Sequence, residues 1–171
     1  MSRLILCGAV SWLVLASFAP CRADDAEDKV ALFLEKLNGV VTRDENLPGK
    51  PVVEVILIGT GVGMVGRIQN PSSKLVAKVN RGRTATDADL KELVPLKNLT
   101  RLHLFQVEVT DVGLKELRQL KNLTELELSV NKVTDEGLKE LGQLKNLNSL
   151  VLMQTEVTDA GLKELKELKN L

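Results

Sequence analysis

A repeat of 24 residues constrains this chain more than any other feature of its sequence. The pair Thr-Asp recurs at residues 86–87, 110–111, 134–135 and 158–159, and the period does not slip. Leucines recur with it at 90, 114, 138 and 162, and asparagines at 98, 122, 146 and 170. A unit this short cannot bury its leucines alone, so stacked units must share one core. Function then falls to the surfaces that stacking leaves open.

Each unit predicts one strand and one helix. Residues 99–104, 123–128 and 147–152 are apolar at their first, fourth and sixth positions, which favours parallel strands with the leucines on one face. In the second half of a unit, Leu114 and Leu117 are three residues apart and share one side of a helix. We expect the helices to begin near Asp111, Asp135 and Asp159. Asp111 should cap its own helix, and Asn122 should accommodate a left-handed turn after it.

This pattern resembles bacterial leucine-rich repeats over residues 90–171. The helical half, Thr-Asp-x-Gly-Leu-Lys-Glu-Leu-x-x-Leu-Lys-Asn, is similar to the ribonuclease-inhibitor-like class. The resemblance implies an α/β leucine-rich-repeat solenoid, a horseshoe with parallel strands on the concave face and helices on the convex face. The family usually carries an asparagine where this chain has Val107, Asn131 and Thr155. We therefore expect a broken asparagine ladder and looser turns along that edge.

The residues upstream predict a cap and a degenerate first repeat. Within 24–51, an amphipathic helix over 25–37, an edge strand over 40–42 and a Pro-Gly turn at 48–49 form an N-terminal helix-strand cap. Within 52–85, residues 52–62 match the spacing of a repeat strand. The following segment carries basic residues without an acidic one: Arg67, Lys74, Lys78, Arg81 and Arg83. It is either a basic loop that contacts an anionic partner or a solvated connection.

Residues 86–171 hold the regular repeats, and Leu171 occupies the first position of a further strand. We therefore expect an apparent truncation at this end, where the last helix presents its leucines. Self-association through that uncapped repeat is one expected consequence.

The first 23 residues predict a signal peptide and hence an exported protein that is periplasmic, cell-surface or secreted. Arg3 precedes an uncharged run from 4 to 19, and Cys21 and Ala23 are the small residues wanted before a cleavage site. The run is shorter than the roughly 20 apolar residues of a spanning helix, so we expect no stable membrane insertion after cleavage. Both cysteines lie in the removed segment, so the mature chain has no thiol for a disulfide or a zinc site.

The net charge argues against nucleic acid as a partner. Lys and Arg total 23, and the loss of Arg3 and Arg22 leaves 21 against 23 acidic residues. A nearly balanced, slightly acidic chain offers no general attraction to nucleic acid or anionic lipid.

The motifs of catalysis are weak, and we expect neither an enzyme nor a cofactor or metal. Residues 59–63 hold glycines at alternate positions, but the run lacks the spacing and following helix of a dinucleotide fingerprint, so a turn is the better interpretation. Glu125 and Glu127 are about 7 Å apart along one strand, which suggests a glycosidase pair. An open strand surface does not desolvate either carboxyl group, so neither becomes a general acid.

The candidate site is therefore the face of the sheet that the leucines leave free. The 24-residue step aligns Arg101 with Glu125 and His103 with Glu127, and a further column aligns Phe105, Ser129 and Met153, with Ile58 extending it. We call seven of these outward residues the inner-face patch: Arg101, His103, Phe105, Glu125, Glu127, Val151 and Met153. A protein or peptide is the expected partner. The alternatives are a structural spacer of the cell envelope and the recognition part of a longer enzyme or signalling protein.

Overall fold

The computed structural model describes residues 25–37, 39–59 and 83–171. The predicted signal peptide, the glycines at 61 and 63, and the basic residues at 67, 74, 78 and 81 lie outside the described residues.

In the part of the chain that the structure describes, five strands form one sheet, and five α-helices lie before, between and after them. The strands are β1 (Val40–Arg43), β2 (Val52–Ile58), β3 (Arg101–Phe105), β4 (Glu125–Glu127) and β5 (Ser149–Val151). The helices are α1 (Asp25–Lys36), α2 (Asp87–Leu90), α3 (Asp111–Leu117), α4 (Asp135–Leu141) and α5 (Asp159–Leu162). Short 3₁₀ turns at Lys91–Leu93 and Lys163–Leu165 extend α2 and α5.

The sheet has the order β1-β2-β3-β4-β5, so strands that are neighbours in sequence are also neighbours in space. β2 to β5 pair in parallel, and each step from β3 onward moves 24 residues along the chain. The helices of successive units pack side by side. The predicted α/β leucine-rich-repeat solenoid is thus confirmed, with one strand and one helical turn in each unit.

The core is a stack of leucines between the sheet and the helices. Leu102 is fully buried and Leu126 is 2% exposed, and the helix leucines Leu114 and Leu138 are fully buried from the other side. Burial of one such side chain contributes roughly 1.5–3 kcal/mol. Because every unit supplies the same set, the core continues from one unit to the next.

The N-terminal part covers the first parallel strand. α1 buries Val30 and Leu34, and Leu37 just after it is also buried, while Leu32 on the other side of α1 is 58% exposed. β1 pairs antiparallel with β2, and Gly49 takes a positive φ of 78° in the turn between them. The edge of β2 is therefore paired rather than open.

Three expectations about local structure are wrong. β4 and β5 have three residues rather than the six predicted. The helices do begin at Asp111, Asp135 and Asp159, but the preceding threonines cap them. Asn122 does not adopt a positive φ.

The expectation of bare leucines at the C-terminal end is correct only in part. Leu162 and Leu171 are each 49% exposed, whereas Leu165 and Leu168 are 6% and 4% exposed. The last helical turn therefore buries half of its leucines on the preceding unit.

Candidate functional site

The parallel register brings the inner-face patch together on three neighbouring strands. Arg101 lies opposite Glu125, and His103 lies opposite Glu127, which in turn lies opposite Val151. The leucines between them point to the core. Since side chains alternate along a strand, these residues share the face that the core does not use.

Arg101 does not pair with Glu125, although the two are aligned. Its Nε lies 3.1 Å from Glu54 Oε1, on the strand at its other side. Glu54 is 1% exposed and also accepts a 2.8 Å hydrogen bond from the Thr42 hydroxyl. A buried carboxylate is strongly destabilising unless it is paired and hydrogen-bonded, so it holds the guanidinium on its side. The expected cross-strand pair of Arg101 with Glu125 is therefore wrong.

His103 does pair with Glu127 as expected. Its Nδ1 lies 3.1 Å from Glu127 Oε2, and its Nε2 lies 3.8 Å from Glu54 Oε1. The imidazole therefore stands between a half-exposed carboxylate and a buried one. The hydrogen bond to Glu127 fixes the ring orientation, and the longer contact with Glu54 lies on its other side.

Apolar groups lie at the far end of the same face. Phe105 is aligned with Ile58 and is partly exposed, and Met153 is 67% exposed. Ser129, which the repeat places between them, is 1% exposed. The apolar column is therefore interrupted, because the middle residue lies below the surface that its neighbours form.

A groove of about 760 Å³ adjoins the patch where the parallel strands begin. Its walls include Asn46, Thr100, Arg101 and Thr124, so it shares only Arg101 with the patch. The threonine hydroxyls donate to backbone carbonyls of the preceding strand, at 2.9 Å for Thr100 and 3.0 Å for Thr124. Most of the groove's polar groups therefore stabilise the stack, and we assign no ligand to it.

The Thr-Asp-x-Gly motif builds the joints between units. Asp111 accepts a 2.9 Å hydrogen bond from the Thr134 amide and a 2.7 Å bond from the Thr134 hydroxyl. The same hydroxyl accepts a bond from the Glu136 amide and so caps α4. A side chain at Gly137 would collide with the Asp111 carboxylate. The motif is therefore structural, and Asp87, Asp111 and Asp135 each bond the threonine of the unit after their own.

The asparagines that recur near the end of each unit also bond between units. Asn122 Nδ2 donates to the Lys97 carbonyl at 2.7 Å, and Asn146 Nδ2 donates to the Lys121 carbonyl at 2.8 Å. At the opposite edge, Asn131 donates to the Leu104 carbonyl of the preceding unit. Thr155, at the equivalent position, bonds only within its own unit, to Leu152. The expected break in the second ladder is thus present.

The basic segment retains one described member, and that residue is engaged. Arg83 donates to both carboxylate oxygens of Asp89, at 2.7 Å and 2.5 Å. Burial would raise the pKa of Asp89, but the bonds from Arg83 and from Thr86 outweigh it and hold that pKa below its ordinary value. Arg83 therefore anchors the first regular unit.

Glu54 is the residue that sequence reasoning missed. It occupies the strand position equivalent to Arg101 and Glu125, in a unit whose sequence has diverged from the rest. An acidic residue in the apolar run 52–58, aligned with an arginine one strand away, was the available signal.

Groups for catalysis or metal binding do not assemble in the residues that the structure describes. Within 25–37, 39–59 and 83–171, no three His, Asp or Glu side chains are placed to share a metal ion. No helix in these ranges is long and apolar enough to cross a membrane; α1, with 12 residues, is the longest.

Comparison with known proteins adds one family match. Residues 119–142 match the family model described as Leucine Rich repeat. No curated protein matches the chain at a significant level. Among solved structures, the chain is similar to an internalin from Listeria monocytogenes, at 25% identity and a TM-score of 0.39. That alignment covers 53% of this chain and 31% of the internalin chain, so this chain spans about a third of that protein. With its 24-residue units, its parallel strands and a matched unit at 119–142, the chain is a leucine-rich-repeat protein.

Proposed function

We propose that this chain is a non-catalytic binding module that holds a protein or peptide on the inner-face patch. One observation carries the proposal: Met153, two residues beyond the end of β5, is 67% exposed next to a sheet whose opposite side is packed with fully buried leucines. Its flexible, polarizable thioether provides an apolar contact that adapts to a partner. The His103–Glu127 pair on the neighbouring strands provides directional hydrogen bonds.

The absence of catalysis is part of the same proposal. Glu125 and Glu127 are both partly exposed on an open strand face, which lacks the enclosed apolar pocket of a catalytic carboxyl pair. Export, proposed on residues 1–23, places the partner outside the cytoplasm.

Peptide display against the purified chain tests this function. Phe105→Ala and Met153→Ala should each weaken a selected peptide by at least about fivefold, the equivalent of about 1 kcal/mol. Lys115→Ala and Lys139→Ala, on exposed convex positions, should leave its affinity unchanged. The reverse pattern would refute the inner-face assignment.

We also propose self-association as a second, structural role, on a different observation. β5 is the outer strand of the described sheet, and Leu162, in the helix α5 that follows it along the chain, is 49% exposed. Edge strands with unpaired backbone groups readily pair with another chain. Sedimentation of the wild-type protein and of Leu162→Lys tests this role: a dimer that Leu162→Lys abolishes supports it, and a monomer at high concentration refutes it.

A further inference from the structure

The charges of the inner-face patch do not cancel. Arg101 is held by Glu54 at 3.1 Å, so its charge is already matched. Glu127 is 3.1 Å from His103. In the described parts of the chain, no cationic group lies within 4 Å of the Glu125 carboxylate. Among the described residues of the patch, the negative charge is therefore concentrated on β4, at Glu125 and Glu127.

The apolar end of the patch lies at a fixed distance from this excess. Glu125 is opposite Ser149, and Met153 lies four residues after Ser149, two residues beyond the end of β5, where its carbonyl still accepts a 2.8 Å hydrogen bond from the Val130 amide. A strand rises about 3.3 Å per residue and neighbouring strands are about 4.8 Å apart, so the two side chains begin about 14 Å apart. Phe105 lies at the same end, four residues beyond Arg101.

We propose that the inner-face patch binds an extended peptide segment with a basic residue at Glu125 and an apolar residue four positions away against Met153. In an extended chain, residues i and i+4 point to the same side and lie about 13 Å apart. A lysine or arginine at Glu125 would form a charge-assisted hydrogen bond. This inference rests on the proposed function and adds the charge and spacing of the partner.

An acidic or anionic partner fits the patch poorly. It would meet Glu125 and Glu127 directly, and like charges brought together at an interface are repulsive. The guanidinium of Arg101 is drawn toward buried Glu54, and its release would take a cation away from that buried carboxylate.

Three labelled peptides test the proposal against the full chain by fluorescence anisotropy. The first contains Lys-Ser-Thr-Ser-Phe between short Gly-Ser flanks, the second has Glu in place of Lys, and the third has Ser in place of Phe. A reversed Phe-Ser-Thr-Ser-Lys peptide accounts for either chain direction. We expect the better of the two Lys/Phe peptides to bind at least fivefold more tightly than either substituted peptide, and 0.5 M salt to reduce that preference.

Charge reversal gives the sharper test. Glu125→Lys should invert the preference between the basic and acidic peptides. Glu92→Lys makes the same change in charge on the helical side, at an exposed residue, and should leave the preference as it is in the wild type. Circular dichroism of both variants confirms that they fold.

The outcomes separate this inference from the proposed function. Equal binding of basic and acidic peptides, both weakened by Phe105→Ala, would overturn the charge preference and leave the inner face as a binding surface. Failure of both Lys/Phe peptides to bind at about 1 mM would overturn this inference. Display-selected peptides that bind outside the inner-face patch would overturn both this inference and the proposed function. A dimer that Met153→Ala dissociates would identify a second copy as the occupant and also overturn it.

Discussion

Thr86 donates both its amide and its hydroxyl to Oδ2 of Asp89, at 2.8 Å and 2.9 Å. In the next unit, Thr110 makes the same two donations to Asp87 of the unit before it. Asp89 stands at the motif position where later units have glycine. The first regular unit thus supplies from its own helix the carboxylate that every later unit receives from its predecessor.

Asp89→Gly should therefore destabilise the protein, although it makes the first unit match the others. The change removes the acceptor of both Thr86 donors and of Arg83, and the loss of hydrogen bonds to a buried charged group costs about 1–3 kcal/mol. Substitutions toward a repeat consensus usually stabilise a protein, so a consensus argument predicts the opposite sign for this change. Urea unfolding measures the change in stability, and an unchanged or raised midpoint would contradict the role given to Asp89.

Gly137→Ala should cost about 1–3 kcal/mol of stability through overpacking, because its new methyl group meets the Asp111 carboxylate and a methyl group of Leu114. Asp111→Ala should cost a similar amount by leaving the Thr134 donors without their acceptor. The double variant should lose less than both changes together, since Asp111→Ala creates room for the methyl group. Additive losses would show that the two residues do not share one joint. Asp159→Ala is the matched control, because Asp159 has the same place in its unit and no hydrogen bond from its side chain among the described residues.

Much of the fold could be predicted because the repeat enforces it. A shift of 24 residues carries each leucine onto a leucine, so Leu102 beside Leu126 follows from the sequence once parallel stacking is assumed. The role of Asp111 could not be predicted, because two helix N-termini lie close together only after the units stack. Its carboxylate then lies nearer to Thr134 than to the amides of its own helix.

The partner of Arg101 escaped prediction for a related reason. Alignment alone offers Glu125 and Glu54 equally, since each lies one strand away. Burial decides between them: Glu54 is 1% exposed and needs a cation, whereas Glu125 is hydrated. Sequence spacing carries no information about that difference.

Leu126→Ala should cost roughly 2–5 kcal/mol, as expected for truncation of a core leucine that is 2% exposed. Glu127→Ala, one residue along the same strand, removes a partly exposed carboxylate and its bond to His103, and should cost less than about 1 kcal/mol. Denaturant unfolding of both variants distinguishes the two faces of β4. Similar losses of stability in the two variants would mean that the register of β4 is wrong by one residue.

Val130→Asn should stabilise the protein. Val130 has a φ of 58°, a left-handed conformation that strains a β-branched residue by about 1–2 kcal/mol and that asparagine tolerates. A gain of about 1 kcal/mol should raise Tm by roughly 2–4 °C in a chain of this size. Val112→Asn is the control, because Val112 is 63% exposed within α3 and has no such strain. Stabilisation by both changes would point to reduced surface hydrophobicity instead of backbone relief.

Acid should weaken the joint between the last two units through Asp135. Hydrogen bonds from the Thr158 amide and hydroxyl, with a smaller contribution from the Gly161 amide, hold the pKa of Asp135 below its ordinary value. A carboxyl group whose pKa is lower in the folded state stabilises fully above the unfolded value of about 3.9, and this contribution is lost as pH falls through the folded value. Asp135→Asn removes the titrating group. The difference in unfolding free energy between wild type and this variant should therefore be constant from pH 7 to 5 and shrink between pH 4 and 2, as measured by urea unfolding.

Asp159→Asn, at the same place in the last unit, is the control, and its stability difference from wild type should not shrink in acid. A difference for Asp135→Asn that persists at pH 2 would show that the carboxylate charge does not stabilise the joint.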